Sequence, residues 1–367
     1  MTTDPHAPAI SSGDLAARSL EVILAGQAAG GAFIASPTFG QYRYAWFRDG
    51  SFIAEGLDIA GHLGAATRFH DWVAGVVIGA RDGIERSIAA GLTGRSPSPG
   101  DYLHCRYELD GTPGPDDWPT FQLDGPGIWL WSLAHHAKAG GSLRPEHRDA
   151  ALLAARYLSA LWDHPSNDAW EESPEQVHTS TLAALLAGLR AAPEILGGAI
   201  DPAIAAARAG IETRLSGREG PLTKWDGNDA VDGSLLWTVA PYGLMQPDEP
   251  AFAATLRRIE ADLVSPHGGV HRYRADTFYG GGEWLLLTAA LGRVYLRRGG
   301  PGDRQRAERC LRWIEAQAGP DGWLPEQVAT CALHPERIDE WRASWGESAS
   351  PLLWSHATYV ALLTEFG

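Results

Sequence analysis

The 367 residues are 44% hydrophobic and 20% charged, ample material for a large buried core, which excludes a wholly disordered chain. Lysine and arginine total 30 against 45 aspartates and glutamates; the formal net charge of −15 disfavours nucleic acid and anionic membrane as main partners, because both are polyanions. Three distant cysteines, Cys105, Cys310 and Cys331, form no CxxC pair and argue against a zinc ribbon, a thioredoxin-type motif or a disulfide framework.

Residues 1–12 show no basic start followed by an apolar run, and no stretch reaches the ~18–20 consecutive apolar residues of a membrane span. A soluble, reduced, cytoplasmic protein without a signal peptide is expected. Tryptophan is over-used, 15 against 10 Tyr and 9 Phe, and it combines a broad apolar face with an N–H donor.

In chain order, helix signals cover 14–27 and 50–63, more weakly 65–78 and the surroundings of Ser87, then 126–138 and 147–162. Leu182, Leu185, Leu186 and Leu189 stand at i, i+3, i+4, i+7, with Thr179 or Ser180 placed to cap the helix. Asp201-Pro202 reads as N-cap and first residue of a helix through Ile204, Ala207 and Ile211. A weak signal over 232–244 and clear ones over 249–263, 283–298, 303–318 and 351–366 bring the count to about a dozen. The one compact β-branched run, Gly75-Val76-Val77-Ile78-Gly79, fits a helix interior equally well, so a (β/α)8 barrel, which needs eight buried strands, is demoted.

Long Gly/Pro/aromatic connections at 35–50, 91–127, 163–178, 217–233, 265–283 and 319–350 hold the distinctive residues; loops of such length are uncommon unless functional. With no low-complexity linker or charge block, a single domain over 1–367 is expected. About 30 residues per helix and connection, against a mean helix of ~11–12, suggests an all-α toroid: a closed ring of helical pairs with its loops gathered on one side.

The chemistry concentrates in those loops. Tyr42-Arg43-Tyr44-Ala45-Trp46-Phe47-Arg48-Asp49 sets a guanidinium fork beside a carboxylate, a pair suited to gripping neighbouring hydroxyls. If extended, it turns Tyr42, Tyr44 and Trp46 to one face; the plainer reading is a helix cap at Asp49 with an ordinary ion pair. Trp118 to Gly125 places Gln122 and Asp124 on one side of an extended segment beside an indole, or is merely a polar turn into the next helix.

Trp170-Glu171-Glu172 sets two repelling carboxylates beside an indole that excludes water and so favours a protonated carboxyl, the state a general acid needs; solvated surface glutamates are the commonplace alternative. Gly322-Trp323-Leu324-Pro325-Glu326-Gln327 supplies another carboxylate between Trp and Pro. Two carboxylates on separate aromatic loops fit glycoside hydrolysis with one acid and one base. The Gly280-Gly281-Gly282 run belongs to neither GxGxxG nor GxxxxGK[ST], and no GxSxG elbow exists. His135-His136 lacks a paired carboxylate or a third ligand at metal spacing, so structural histidines and no metal are expected. The rarity of lysine (Lys138 and Lys224 only) reads as coding bias.

Taken in order, Tyr42–Asp49, Trp118–Gly125, Trp170–Glu172, Arg272–Trp284, Glu326-Gln327 and Trp354-Ser355-His356 resemble the glucoamylase/glucodextranase family, glycoside hydrolase family 15, across residues 42 to 356. The resemblance implies an (α/α)6 barrel, in accord with the helix count. It implies Glu171 as general acid and Glu326 as general base, with Tyr42 and Ser348 positioning the water. Arg48 and Asp49 would hold the terminal glucose and Glu172 the next sugar, with Trp46, Trp118, Trp170, Arg272 and Trp284 as further sugar contacts.

Ser173-Pro174, His271 and Glu283 depart from the family pattern near the leaving-group side. No N-terminal β-rich domain or carbohydrate-binding module is expected. The reading is an inverting exo-α-glucosidase without cofactor, acting on short α-gluco-oligosaccharides with isomaltose first. An α,α-trehalase or a maltose-preferring glucoamylase-like enzyme is the alternative. A sugar-binding barrel without catalysis would not require both Glu171 and Glu326, and a helical cyclase would show Asp-rich metal motifs.

Overall fold

The helices sort into two kinds by where their buried residues fall, and that sorting builds the architecture. A computed structural model describes residues 11–115, 118–198, 201–216 and 220–366, so the absence of a leader, read largely from residues 1–10, lies outside the described residues. Among these are thirteen α-helices: α1 Ser12–Ala25, α2 Phe47–Ile59, α3 Leu63–Gly79, α4 Arg81–Gly91, α5 Asp124–Lys138, α6 Pro145–Leu161, α7 Thr179–Leu196, α8 Pro202–Ser216, α9 Pro250–Asp262, α10 Leu285–Arg298, α11 Asp303–Glu315, α12 Ile338–Trp345 and α13 Leu353–Glu365.

In α2, α10 and α13 the runs Phe47–Asp58, Leu285–Tyr295 and Leu353–Leu362 are buried without a break. By contrast, α8 buries only Ile204, Ala207, Ile211 and Leu215, one stripe at helical spacing. A helix buried all round must stand inside, and one with a single apolar stripe lies outside. The contacts agree. The inner helices touch in the order α2, α5, α7, a 3-10 segment at Gly233–Thr238, α10, α13 and back to α2. Outside that ring lie α1, α3, α6, α8, α9 and α11. The fold is an (α/α)6 barrel.

Two local expectations fail for physical reasons. The helix read over 232–244 is only the 3-10 segment, because Pro241 has no N–H to extend a helical ladder and Gly243 stands at φ 64°. Neither Thr179 nor Ser180 caps α7. His178 holds the cap position with no side-chain bond to the helix N–H groups, and the Thr179 N–H donates instead to the Lys224 carbonyl at 3.0 Å. Asp201 behaves as read, accepting the Ala203 N–H at 3.0 Å. The run 75–79 lies inside α3.

Glycine sets one spacing in the ring. A Cβ on Gly127 of α5 would stand 2.7 Å from the Ala184 carbonyl oxygen of α7, so the two backbones approach closely only without it. His136 does have a carboxylate partner, contrary to expectation: its Nδ1 lies 2.7 Å from Asp58 Oδ1 and its Nε2 2.9 Å from the Thr67 hydroxyl. Asp58, His70 and His136 offer ligand-type atoms within 4.8 Å of one another. The His136 distances are those of hydrogen bonds, and the group is a buried polar knot joining α2, α3 and α5. No helix among the described residues is long and apolar enough to cross a membrane.

Candidate active site

The motif-bearing loops all lead into the N-terminal ends of inner helices: α2, α5, α7, α10 and α13. Those ends carry partial positive charge, which favours carboxylates. Two short antiparallel ladders clip the loops: Ala45–Trp46 (β1) pairs with Arg106–Tyr107 (β2), and Glu283–Trp284 (β3) with Gln327–Val328 (β4). Tyr42, Trp46, Arg48, Asp49, Trp118, Trp170, Glu171, Glu172, Arg272, Trp284 and Glu326 line one cavity of about 400 Å3.

Ser348 is the exception among the residues expected there. It lines a separate recess with Pro325, Gln327 and Glu347, because the chain on either side of Glu326 faces away from the main cavity. Of the aromatic wall read from alternation, Tyr42 and Trp46 face the cavity. Tyr44 is drawn off under the Arg106 guanidinium, 4.5 Å from its ring.

Glu171 has a left-handed backbone at φ 68°, a conformation that costs a side-chain-bearing residue about 1–3 kcal/mol and persists only when its surroundings enforce it. They do. Asp168 accepts the N–H groups of Trp170 and Glu172, each at 3.0 Å, gripping both neighbours of Glu171. The Glu171 carboxyl meets four donors. Trp46 Nε1 at 2.9 Å, Gln122 Nε2 at 3.0 Å and Arg48 at 3.4 Å reach Oε1, while Trp118 Nε1 donates to Oε2.

The Trp170 indole does not serve Glu171 as read from adjacency; its N–H donates to both oxygens of buried Asp232 at 3.0 Å. Gln122 and Asp124 do point the same way, both accepting from Arg48, at 2.8 and 3.2 Å. Asp49 stands in the first turn of α2, with its Oδ1 3.5 Å from Arg48 Nε. Burial pushes the Asp49 carboxyl up to about 7, against the Arg48 charge and with help from Glu171 and Asp124.

Glu326 is 4% exposed. Burial pushes its carboxyl up to about 7; hydrogen bonding with Tyr42, the Arg272 charge and hydrogen bonding with Gln327 oppose the rise, and Asp49 adds to it. The Tyr42 hydroxyl end meets Glu326 while the Trp46 N–H meets Glu171, and the two rings pack edge-on at 5.8 Å. This aromatic pair therefore spans from one carboxyl to the other. The Glu326 main chain is fixed by its N–H to the Ala349 carbonyl at 2.9 Å and by the neighbouring β3–β4 ladder.

Beyond Glu172 the guanidinium of Arg272 lies among the rings of Trp170, Phe278 and Trp284 at 5.1–5.3 Å. It bonds Asp276 through Nε at 2.8 Å and Glu172 at 3.2 Å. Two of the departures from the family pattern turn out to be internal struts. Glu283 is fully buried, accepting the Ser265 hydroxyl and the Cys331 N–H, and His271 Nδ1 sits 3.0 Å from the Gly281 carbonyl.

Sequence reasoning missed Phe278, Trp341 and Trp345 on the cavity wall, although the tryptophan excess was a signal for the last two. Trp354, quoted only as part of a motif, also lines it. The indole N–H groups of Trp284, Trp341 and Trp354 have no hydrogen-bond partner.

Comparison with known proteins bears on the same constellation. Residues 12–300 match the family described as Glycosyl hydrolases family 15. The Isomaltose glucohydrolase of Kribbella flavida is 45% identical over 361 residues, 96% of this chain and 93% of the relative. Trehalase 2 of Sulfolobus acidocaldarius is 26% identical over 333 residues, 76% of this chain and 53% of the relative.

Among solved structures, a wild-type glycosidase and a glycosidase variant in complex with glucose each superpose with a TM-score of 0.91 at 45% identity, covering 97% of both chains. A bacterial glucoamylase complexed with acarbose, at 21% identity and a TM-score of 0.70, covers 96% of this chain and 55% of its own; it shares the fold. A closed helical ring, two carboxylates on separate loops in one cavity and a family match over most of the chain agree: this protein belongs to glycosyl hydrolases family 15.

Proposed function

We propose that the protein is an inverting exo-α-glucosidase that releases β-D-glucose from the non-reducing end of short α-gluco-oligosaccharides, with isomaltose favoured. One observation carries the reading. A single cavity holds Glu171 under four N–H donors and buried Glu326 against Tyr42, with an aromatic pair between them. Glu171, protonated, gives its proton to the glycosidic oxygen. Glu326, ionised, takes a proton from a water beside the Tyr42 hydroxyl, and that water attacks the anomeric carbon from the opposite face. Single displacement by water inverts the anomer and needs neither a covalent intermediate nor a cofactor.

Arg48 and Asp49 hold hydroxyls of the terminal glucose, and Glu172 with Arg272 holds the next sugar. The substrate follows the 45%-identical relative named Isomaltose glucohydrolase. We place the enzyme in the cytoplasm, where its three free cysteines stay reduced and imported disaccharides are found.

Glucose release from isomaltose, maltose, trehalose, kojibiose and nigerose, with isomaltotriose and dextran for length, tests the assignment. Isomaltose should give the highest kcat/KM, and proton NMR of fresh product should show the β anomer. An initial α anomer overturns the mechanism. Trehalose outrunning isomaltose selects the trehalase reading, and a steady rise toward dextran refutes the short-substrate claim.

A further inference from the structure

Lys224 is one of only two lysines in the chain, and its side chain is 6% exposed. The Nζ lies 3.3 Å from Asp168, 3.4 Å from Asp232 and 3.6 Å from Glu172, and 3.5 Å from the centre of the Tyr273 ring. Asp168 and Asp232 have side chains 2% exposed. Each has a second duty in the acid loop. Asp168 accepts the amides on both sides of Glu171, and Asp232 accepts the Trp170 indole. His178, 3.8 Å from Asp168 through Nδ1, uses its Nε2 to reach the carbonyl of Ser173, a second residue with positive φ.

Two buried carboxylates share this one ammonium at 3.3 and 3.4 Å; with it removed, each loses its buried ionic partner and its side chain is free to turn away. That turn loosens the grip on the backbone of Glu171, which is held in a conformation it would not adopt alone. Proton donation to a leaving oxygen depends on placement within a fraction of an ångström.

We propose that Lys224 is a positioning residue for the general acid: its ammonium anchors Asp168 and Asp232 by ion pairs, and these two carboxylates hold Glu171 where it can protonate the leaving sugar. Lys224 does not touch Glu171 and is not itself among the cavity-lining residues; of the residues it meets, Glu172 at 3.6 Å lines the cavity. Burial disfavours its charge, but the three surrounding carboxylates outweigh burial and keep the ammonium charged. Its own backbone is tied independently of the side chain, with the carbonyl accepting from Thr179 at 3.0 Å and the N–H donating to Ala230 at 2.9 Å. The inference rests on the assignment of Glu171 as the acid.

The test compares Lys224→Met and Lys224→Arg on isomaltose, whose leaving group needs a proton, and on α-D-glucosyl fluoride, whose leaving group needs little. Lys224→Met should lose about 100-fold in kcat on isomaltose, at the lower end of what general acid catalysis supplies, with KM changed much less. On the fluoride it should lose at most a few-fold. Lys224→Arg should recover much of the isomaltose activity, and Lys224→Met added to Glu171→Gln should cost little more than Glu171→Gln alone.

Equal losses on both substrates in a Lys224→Met protein with a normal melting transition would overturn the proposal, as would fully additive losses in the double variant. If Lys224→Met does not fold, Lys224→Arg decides: a loss in kcat on isomaltose but not on the fluoride, with KM little changed, supports positioning; an equal loss, or a loss on isomaltose carried by KM through Glu172 and the second sugar, refutes it. Failure of the underlying acid assignment is separately visible, because Glu171→Gln alone would then lose equally on both substrates.

Discussion

Replacing Glu326 by Gln should make the protein more stable as it makes it inactive, by an amount that depends on pH. Burial raises the folded-state pKa of Glu326 from an ordinary 4.5 to about 7. Between those values the unfolded chain has released this proton and the folded chain still holds it, so stability falls as pH rises. The loss runs at about 1.4 kcal/mol per pH unit, reaching about 3 kcal/mol by pH 7, and is constant above that. At 4% exposure, solvent screening does not reduce the effect.

Gln cannot ionise, and its amide oxygen can still accept from Tyr42. It therefore escapes the loss and should exceed the parent by about 3 kcal/mol at pH 8 and by almost nothing near pH 4.5. For a chain of 367 residues the unfolding entropy converts this into a Tm rise of roughly 4 °C. Scanning calorimetry of both proteins at pH 4.5, 6 and 8 measures the difference, while kcat on isomaltose should fall by several orders of magnitude throughout. A Tm difference independent of pH, or a Gln variant melting lower at pH 8, would refute the reasoning. The same ionisation should shape the parent's kinetics. If Glu326 is the base, as proposed, it must be ionised, so kcat/KM should fall as pH drops through about 7, with an apparent pKa belonging to the coupled Glu326 and Asp49 pair.

Glu171→Gln should hydrolyse isomaltose poorly but keep far more of its activity on α-D-glucosyl fluoride; steady-state rates on both substrates check this, and equal loss points away from acid catalysis. Gly127→Ala should destabilise by about 1–2 kcal/mol despite better helix propensity, because its Cβ would meet the Ala184 backbone at 2.7 Å, where no side chain can rotate aside. Gly75→Ala, on the same test by thermal melting, should stabilise by up to about 1 kcal/mol, since nothing lies within 4 Å of its added methyl.

Most helices were legible because their signal is local. The Leu182, Leu185, Leu186 and Leu189 stripe and the Asp201-Pro202 start depend only on the rise and twist of the helix, and both fall where the spacing puts them. The pairing of Arg48 with Asp49, and the shared direction of Gln122 and Asp124, were legible for the same reason: the residues are neighbours in sequence.

Hydrogen-bond partners across loops were not. Glu171 is held by indoles 125 and 53 positions away, while the adjacent Trp170 turns its N–H to Asp232, 62 positions on. Ser348 and Glu283 carry residue types suited to the chemistry but stand outside the cavity: Ser348 lines a separate recess, and Glu283, in the β3–β4 ladder, is turned inward to the Ser265 hydroxyl. Lys224 looked like an accident of composition; it became a hub when ring closure brought the loops before α7 and α10 against it. Periodicity, capping and motif order depend on residues within a few positions of one another, and the amino-acid sequence determines them directly. Which donor meets which carboxylate, and which carboxyl is buried enough to hold its proton near pH 7, depends on distances created only when six helical pairs close into a ring.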